Sequence, residues 1–440
     1  MNQEILAHGI GGRSDLPIPL EFAVIGAGVA VAVSFVAMAA LWRSSRLRGG
    51  DGGRPIPRRL QAVADSSATR DILRAAGLIV TVFVIAAAIF GPDTGLNPAP
   101  GFVYVFLWVG LVFASLLFGP VWRLISPLRA VHAGLSALAG TDPERGLQRY
   151  PAWLGYWPAA LGLFAFVWLE LVAPERTSTL TISIWFAIYF AVALVGGLVF
   201  GSRWFARADP FEVFSTFIGR LAPVGRRADG RLVVRNPLEG LDGLRAEPGI
   251  VAVVTVLLGS TAYDSFSESP FWVRTVQSSS LDATLLGTLG LIGTIVIVAA
   301  LYTAAVRIAG AAGTVDQADL PRAFAHSLVP IAVGYLVAHY FSLFVFEGQR
   351  TLILASDPFD SGANLFGTAE LAVNFTILSA TAIASVQVLA VVTGHILGVV
   401  AAHDRAVRLF PPRAATVGQL PLLVLMIVYT VGGLTLLFAA

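Results

Sequence analysis

Apolar runs of about 20 residues, separated by short stretches rich in glycine, proline and arginine, recur from one end of the chain to the other. A run of that length crosses the hydrocarbon of a bilayer as a helix. The pattern therefore predicts ten spanning helices, over 20–42, 74–91, 101–119, 156–173, 180–200, 249–266, 284–306, 326–347, 371–401 and 420–439. The first 19 residues lack the basic start of a signal peptide, so the first run is taken as a retained span. The expected class is an all-α integral membrane protein, with residues 1–440 forming one polytopic domain.

Composition agrees. Of 440 residues, 56% are hydrophobic and 13% charged, with a mean hydropathy of +0.77; a soluble domain carries about 25% charged residues. The absence of cysteine excludes disulfides, thiolate metal sites and thiol nucleophiles. Net charge is +2, and every basic residue is arginine. Their placement carries orientation. The loops after the first, third, fifth, seventh and ninth runs hold all but four of the arginines; the opposite side holds Arg13, Arg176, Arg274 and Arg350. The positive-inside rule then puts both termini on the outer side of a bacterial plasma membrane.

Two inner segments have helical apolar spacing. Asp209-Pro210-Phe211-Glu212 has the form of a capping box with proline at the first helical position, followed by Phe214, Phe217, Ile218 and Leu221. Ser126-Pro127 opens a similar stretch with Leu128, Val131, Leu135 and Leu138. Both are expected as short cytoplasmic interfacial helices. In the 201–248 loop, Asp229-Gly230 between β-prone residues predicts a small hairpin. Phe118-Gly119-Pro120-Val121-Trp122 leading to Ser126-Pro127 parallels Phe200-Gly201-Ser202-Arg203-Trp204 leading to Asp209-Pro210. The second and third runs thus pair with the fourth and fifth as candidate copies, and such repeats occur in transporters.

Polar groups inside the runs carry the candidate chemistry, because each is costly in hydrocarbon. The eighth run holds His326, Pro330 and His339. Tyr335 and Ser342 share the face of His339, and Glu347 lies two turns outward. Pro330 removes the hydrogen bond to the His326 carbonyl. In the ninth run, Glu370, Asn374, Thr381, Ser385, His395 and His403 fall within about 80° of one another on a helical wheel, with Gln387 on another face. Ordinary packing accounts for serine and threonine; Asn374 and His395 ask for more. The sixth run changes at Gly259-Ser260-Thr261 to a polar segment with Asp264 and Glu268, read either as a helix break or as an early exit near Tyr263. His8 and Asp15 in the tail are expected to join Asp93, Asp264, Glu347, Asp357 and Asp360 at the outer face.

No metalloprotease, nucleophile-elbow, phosphate-loop or dinucleotide motif is present. Histidine and carboxylate allow a divalent metal site, with His8, Asp15, His395 and His403 as candidate ligands. His395 and His403 stand about 12 Å apart along a helix and cannot chelate one ion unaided. Haem would need histidines from two helices, such as His326 with His395 or His403. The segments His8–Pro19, Ala208–Phe214, His339–Phe344, Glu347–Gln349 and Gly394–Ala406 resemble an actinobacterial family of polytopic membrane proteins commonly labelled fenitrothion hydrolase. The resemblance implies hydrolysis of a phosphotriester, with water activated by a metal or a base and a nitrophenolate expelled.

Three functional classes follow: a membrane hydrolase of lipophilic phosphotriesters, a secondary transporter or permease with an intramembrane polar site, and a metal- or haem-handling protein. The candidate catalytic residues are His339, Asp264 and Glu347, and the candidate substrate-binding residues Asn374, Ser385 and His395. The expected partners are the bilayer and a small lipophilic molecule or ion, not nucleic acid.

Overall fold

The structure is a computed structural model. It describes residues 15–47, 49–310 and 316–438, leaving aside the side chains of 412–414. Its long helices are α1 (Leu20–Leu41), α2 (Ser67–Phe90), α3 (Ala99–Phe118), α4 (Trp157–Leu171), α5 (Thr179–Phe200), α6 (Ile250–Ser267), α7 (Ala283–Ala309), α8 (Leu320–Leu354), α9 (Ala380–Leu409) and α10 (Leu420–Leu437). Among the described residues nine helices are long and apolar enough to cross a membrane, and α4, at 15 residues, is a shorter apolar one. Large apolar side chains such as Phe22, Ile79, Ile188 and Ile297 are 59–68% exposed on these helices. Faces of that kind need hydrocarbon around them. The chain is an all-α multi-pass membrane protein.

Several boundaries differ from the sequence pattern. The ninth helix begins at Ala380, not 371. The Ser379 side chain accepts from Ala382 N at 3.1 Å and caps it, while the Asn374 side chain turns onto Thr376 N at 2.9 Å in the preceding loop. Glu370 and Asn374 therefore leave the proposed stripe. In α6 there is neither a break nor an early exit. Ser260 and Thr261 donate to the Leu257 carbonyl, and the helix runs buried through Asp264 to Ser267. Gly259 serves close packing instead: a Cβ there would lie 2.6 Å from Ile295 Cα on α7. At Pro330 the His326 carbonyl is not left free, because a 3₁₀ turn over Ala325–Leu328 lets it accept from Val329 N.

The chain divides into two compact units. The first comprises Arg54–Val234 and Ser342–Ile377. Trp108, Phe166, Phe211, Phe214 and Phe217 are buried at its centre. Helix Pro210–Gly219 is buried on almost every face against α3 and α4, so it is an interior helix and not an interfacial one. The amphipathic expectation fails because its polar positions have buried partners: Glu212 pairs with Arg129, and Ser215 with Ser115 at 2.8 Å. Helix Pro127–Leu138 likewise buries Leu128, Arg129 and His132, and leaves Leu135 and Leu138 exposed.

The hairpin forms as expected, with β2 (Val224–Arg226) and β3 (Leu232–Val234) around Gly230, and β3 also pairs with β1 (Arg54–Pro55) in a sheet of order β1-β3-β2. The two repeated stretches share their turn geometry. Gly119 (φ 85°) and Gly201 (φ 66°) both occupy the left-handed region that glycine favours. Each is followed by a short helix and then by a side-chain cap, Ser126 or Asp209, before a proline. Arg129 and Glu212 stand at the same place in the two stretches and bind each other.

The second unit comprises Ile10–Gly53, Arg235–Phe341 and Leu378–Ala440. Its core includes Ala27, Ala338, Ala384, Val391, Leu434 and Phe438. Helices α8 and α9 touch backbone to backbone: a Cβ on Gly394 would lie 2.5 Å from the Pro330 carbonyl oxygen, and one on Gly334 2.6 Å from that of Ala390. Gly394→Val is expected to destabilise the protein by about 1–3 kcal/mol through overpacking, read as a lower midpoint of thermal unfolding in detergent.

Candidate functional site

Asp264 lies in the last turn of α6 and His339 in α8, both within the second unit. His339 Nε2 stands 2.8 Å from Asp264 Oδ2. The approach is off the line of an N–H bond, since Nε2 has no aligned hydrogen-bond partner. The contact is thus an electrostatic pairing at short range, not a straight hydrogen bond. Tyr340 Oη donates to the same Oδ2 at 2.8 Å, and Ser265 Oγ lies 3.5 Å from His339 Nδ1. Asp264 is 2% exposed, Tyr340 6%, His339 7% and Ser265 8%. Carboxylate, imidazole, phenol and hydroxyl are thereby gathered in a sealed, low-dielectric pocket of spanning helices. Such a group can hold or release a proton, and any net charge it carries is expensive there.

Of the residues singled out in the sequence, the structure brings together His339 and Asp264. Glu347 does not join them: it sits two turns further along α8 and pairs with Arg350 at 3.6 Å. Asn374 lies in an exposed loop, where its backbone N–H donates to Gln349 Oε1 at 3.0 Å. Ser385 donates to its own helix at the Thr381 carbonyl. The buried polar residues of α9 are Gln387, His395, His403 and Asp404, so Gln387 is buried and Thr381 is not. His395 is fully buried; its Nδ1 donates to the Val391 carbonyl at 2.9 Å and its Nε2 has no partner. That bond fixes the tautomer and leaves Nε2 a bare acceptor.

His403 is satisfied on both sides. Its Nε2 donates to the Trp42 carbonyl at 3.2 Å, and its Nδ1 accepts from Gln419 Nε2 at 3.1 Å. His326 Nδ1 donates to the Ala323 carbonyl at 3.1 Å. His8 lies outside the described residues, and Asp15 is half-buried near their start. No three His, Asp or Glu side chains among the described residues form a group able to hold a metal ion. Two of the acidic groups expected at the outer face have local partners. Asp93 accepts from Thr179 N at the start of α5 and Asp357 from Ser361 N, bonds that hold both carboxyls below the usual range.

Tyr340 and Ser265, the chain neighbours of His339 and Asp264, carry no signal in the sequence that marks them. Nor does the sequence mark the buried acid network of the first unit. There Asp209 accepts from Tyr189 Oη at 2.8 Å, Trp122 Nε1 at 3.1 Å and Phe211 N at 3.0 Å. Arg129 grips Glu212 at 2.5 and 2.7 Å. Burial, with the Glu212 carboxylate alongside, pushes the Asp209 carboxyl up to about 7, against the pull of its donors. A carboxyl that holds its proton more tightly folded than unfolded contributes stability at low pH. That contribution is complete below about pH 4 and is lost as pH rises through about 7. Stability measured from pH 4 to 8 is expected to fall more for the wild-type protein than for Asp209→Asn, by no more than about 4 kcal/mol.

Comparison of the chain with protein-family models, with curated proteins and with solved structures returned no match.

Proposed function

We propose that the protein is a proton-linked secondary transporter in which Asp264 and His339 form the intramembrane protonation site. The observation that carries this reading is the Asp264 carboxylate, 2% exposed among spanning helices, with His339 Nε2 and Tyr340 Oη each 2.8 Å from one of its oxygens. With one proton shared between carboxylate and imidazole the pair is neutral overall; without it the pair carries one negative charge in low dielectric. Loading and unloading that proton changes the electrostatic cost of the bundle, which is the coupling a carrier needs. The site is closed to bulky molecules and needs only water to deliver a proton. In this reading the chain has ten spans, α4 included, lies in a bacterial plasma membrane and has both termini outside, as the arginine distribution implies.

A second reading rests on Ser265, 3.5 Å from the other ring nitrogen of His339. Serine, histidine and aspartate then form a chain of the kind used in nucleophilic hydrolysis, the class to which the fenitrothion hydrolase resemblance points. Two assays on one preparation separate the readings. Transport predicts a transient charge displacement when proteoliposomes on a solid support meet a pH jump, with no release of 4-nitrophenolate from a nitrophenyl phosphotriester. Turnover of the phosphotriester that disappears in Ser265→Ala, without a charge displacement, would replace the transport reading by the hydrolytic one.

A further inference from the structure

Apart from the proton site, the first unit contains a cavity of about 790 Å³. It lies between α2, α3 and α5, and its size is that of a ligand pocket, roughly 300–1,000 Å³. The lining is almost entirely apolar, and of its polar groups Thr81 donates to the Gly77 carbonyl, while Trp122 and Tyr189 donate to Asp209, leaving Ser183. Water entering it would find few partners, and a volume of this size does not stay empty beside fluid hydrocarbon. Along all of α2 the only fully buried side chain is Ala87. Near its midpoint, Gly77 presses the helix against the turn Trp122–Ile125, where a Cβ would lie 1.8 Å from the Ile125 carbonyl oxygen. Between these two positions Val80, Thr81, Val84 and Ile85 line the cavity. Opposite it, α3 widens into a π-helical run over Phe102–Gly110, a feature common at functional sites. Val80, Ile85 and Ile89 line the cavity and are also exposed, so it opens sideways.

A charge lies two residues before Ala76, the first lining residue of α2. Arg74, three residues before Gly77, is half-buried, and its Nε is sealed from solvent without a hydrogen-bond partner. Arg70 and Arg129 add positive charge around it, and Asp71 and Glu144 negative. An apolar slot of this volume, with an arginine two residues before its lining begins, matches one chemistry, a hydrocarbon chain joined to an anionic phosphate. We infer that the cavity holds an acyl chain of an anionic phospholipid from the bilayer, with its phosphate at Arg74.

The test uses the full chain purified in detergent. Retained lipid is read by native mass spectrometry, and thermal unfolding is followed with added dioleoyl phosphatidylglycerol, dioleoyl phosphatidylcholine or inorganic phosphate alone. Phosphatidylglycerol is expected to be retained and to raise the unfolding midpoint more than phosphatidylcholine, and phosphate alone to do neither. Arg74→Gln is expected to lower the preference for phosphatidylglycerol by about fivefold, the share of one arginine at an anionic headgroup; Arg74→Lys is expected to keep it. Ala187→Trp, which fills the cavity from α5, is expected to abolish the response to both lipids. If that variant does not purify, Ala88→Leu on α2 takes its place. Equal responses to the two lipids in the wild-type protein, a response to phosphate alone, or wild-type lipid retention in the filled-cavity variant would each overturn the assignment.

Discussion

Replacing Asp264 with asparagine is expected to remove the pH-jump charge displacement of the reconstituted protein, reducing it at least about tenfold, toward the level of empty liposomes. The substitution keeps size and shape, so the Tyr340 hydroxyl retains an oxygen to donate to. What disappears is the charge and protonation of the carboxyl facing His339 Nε2 at 2.8 Å. Tyr340→Phe removes a hydrogen bond but leaves the carboxylate and imidazole, and its expected effect is a displaced pH midpoint with the amplitude intact. His339→Gln should behave as Asp264→Asn does. An unchanged displacement in Asp264→Asn, with unfolding at the wild-type temperature, would end the assignment of this pair as the protonation site.

The second large effect concerns stability. Arg129→Met is expected to cost about 3–5 kcal/mol, because it leaves Glu212 as an unpaired buried charge. The two side chains are 7% and 1% exposed. Arg129 also donates to the Ser202 carbonyl at 3.1 Å and lies over the Phe205 ring. The double variant Arg129→Met with Glu212→Leu is expected to recover most of the loss, since a matched apolar pair carries no desolvation penalty. Thermal unfolding of the single and double variants measures this. A double variant no more stable than Arg129→Met alone would mean that the packing of the guanidinium over Phe205, and not its charge, is what matters.

The sequence was informative where structure is local. Apolar length located the helices, and the caps at Ser126, Asp209 and the turn at Gly230 lie where their residue types place them. It misled where a partner comes from far along the chain. Phe211, Phe214 and Phe217 at helical spacing looked like a membrane-surface helix, because nothing local announces that Glu212 meets Arg129 or Ser215 meets Ser115. The stripe on the ninth run was drawn too long because Asn374 and Glu370 keep helical phase across a loop. Only Ser379 marks the true start, and a lone serine is a weak signal. His339 and Asp264 were legible singly, as costly groups in apolar runs. Their meeting was not, since it depends on how α6 and α8 face each other. His395 was legible as well, but its role was not: burial took away its second partner.

Both compact units are assembled from separated pieces of chain, and this bears on biogenesis. The first unit receives its last part, Ser342–Ile377, only after Arg235–Phe341 has been synthesised, a delay on the order of ten seconds at ordinary elongation rates. α1 is made well over 300 residues before α9 and α10, its principal neighbours, are available. During that interval Asp264 enters the membrane before its partners His339 and Tyr340 have been made. The nascent protein therefore depends on the insertion machinery, or on lipid, to shelter polar groups that the finished fold shelters by itself.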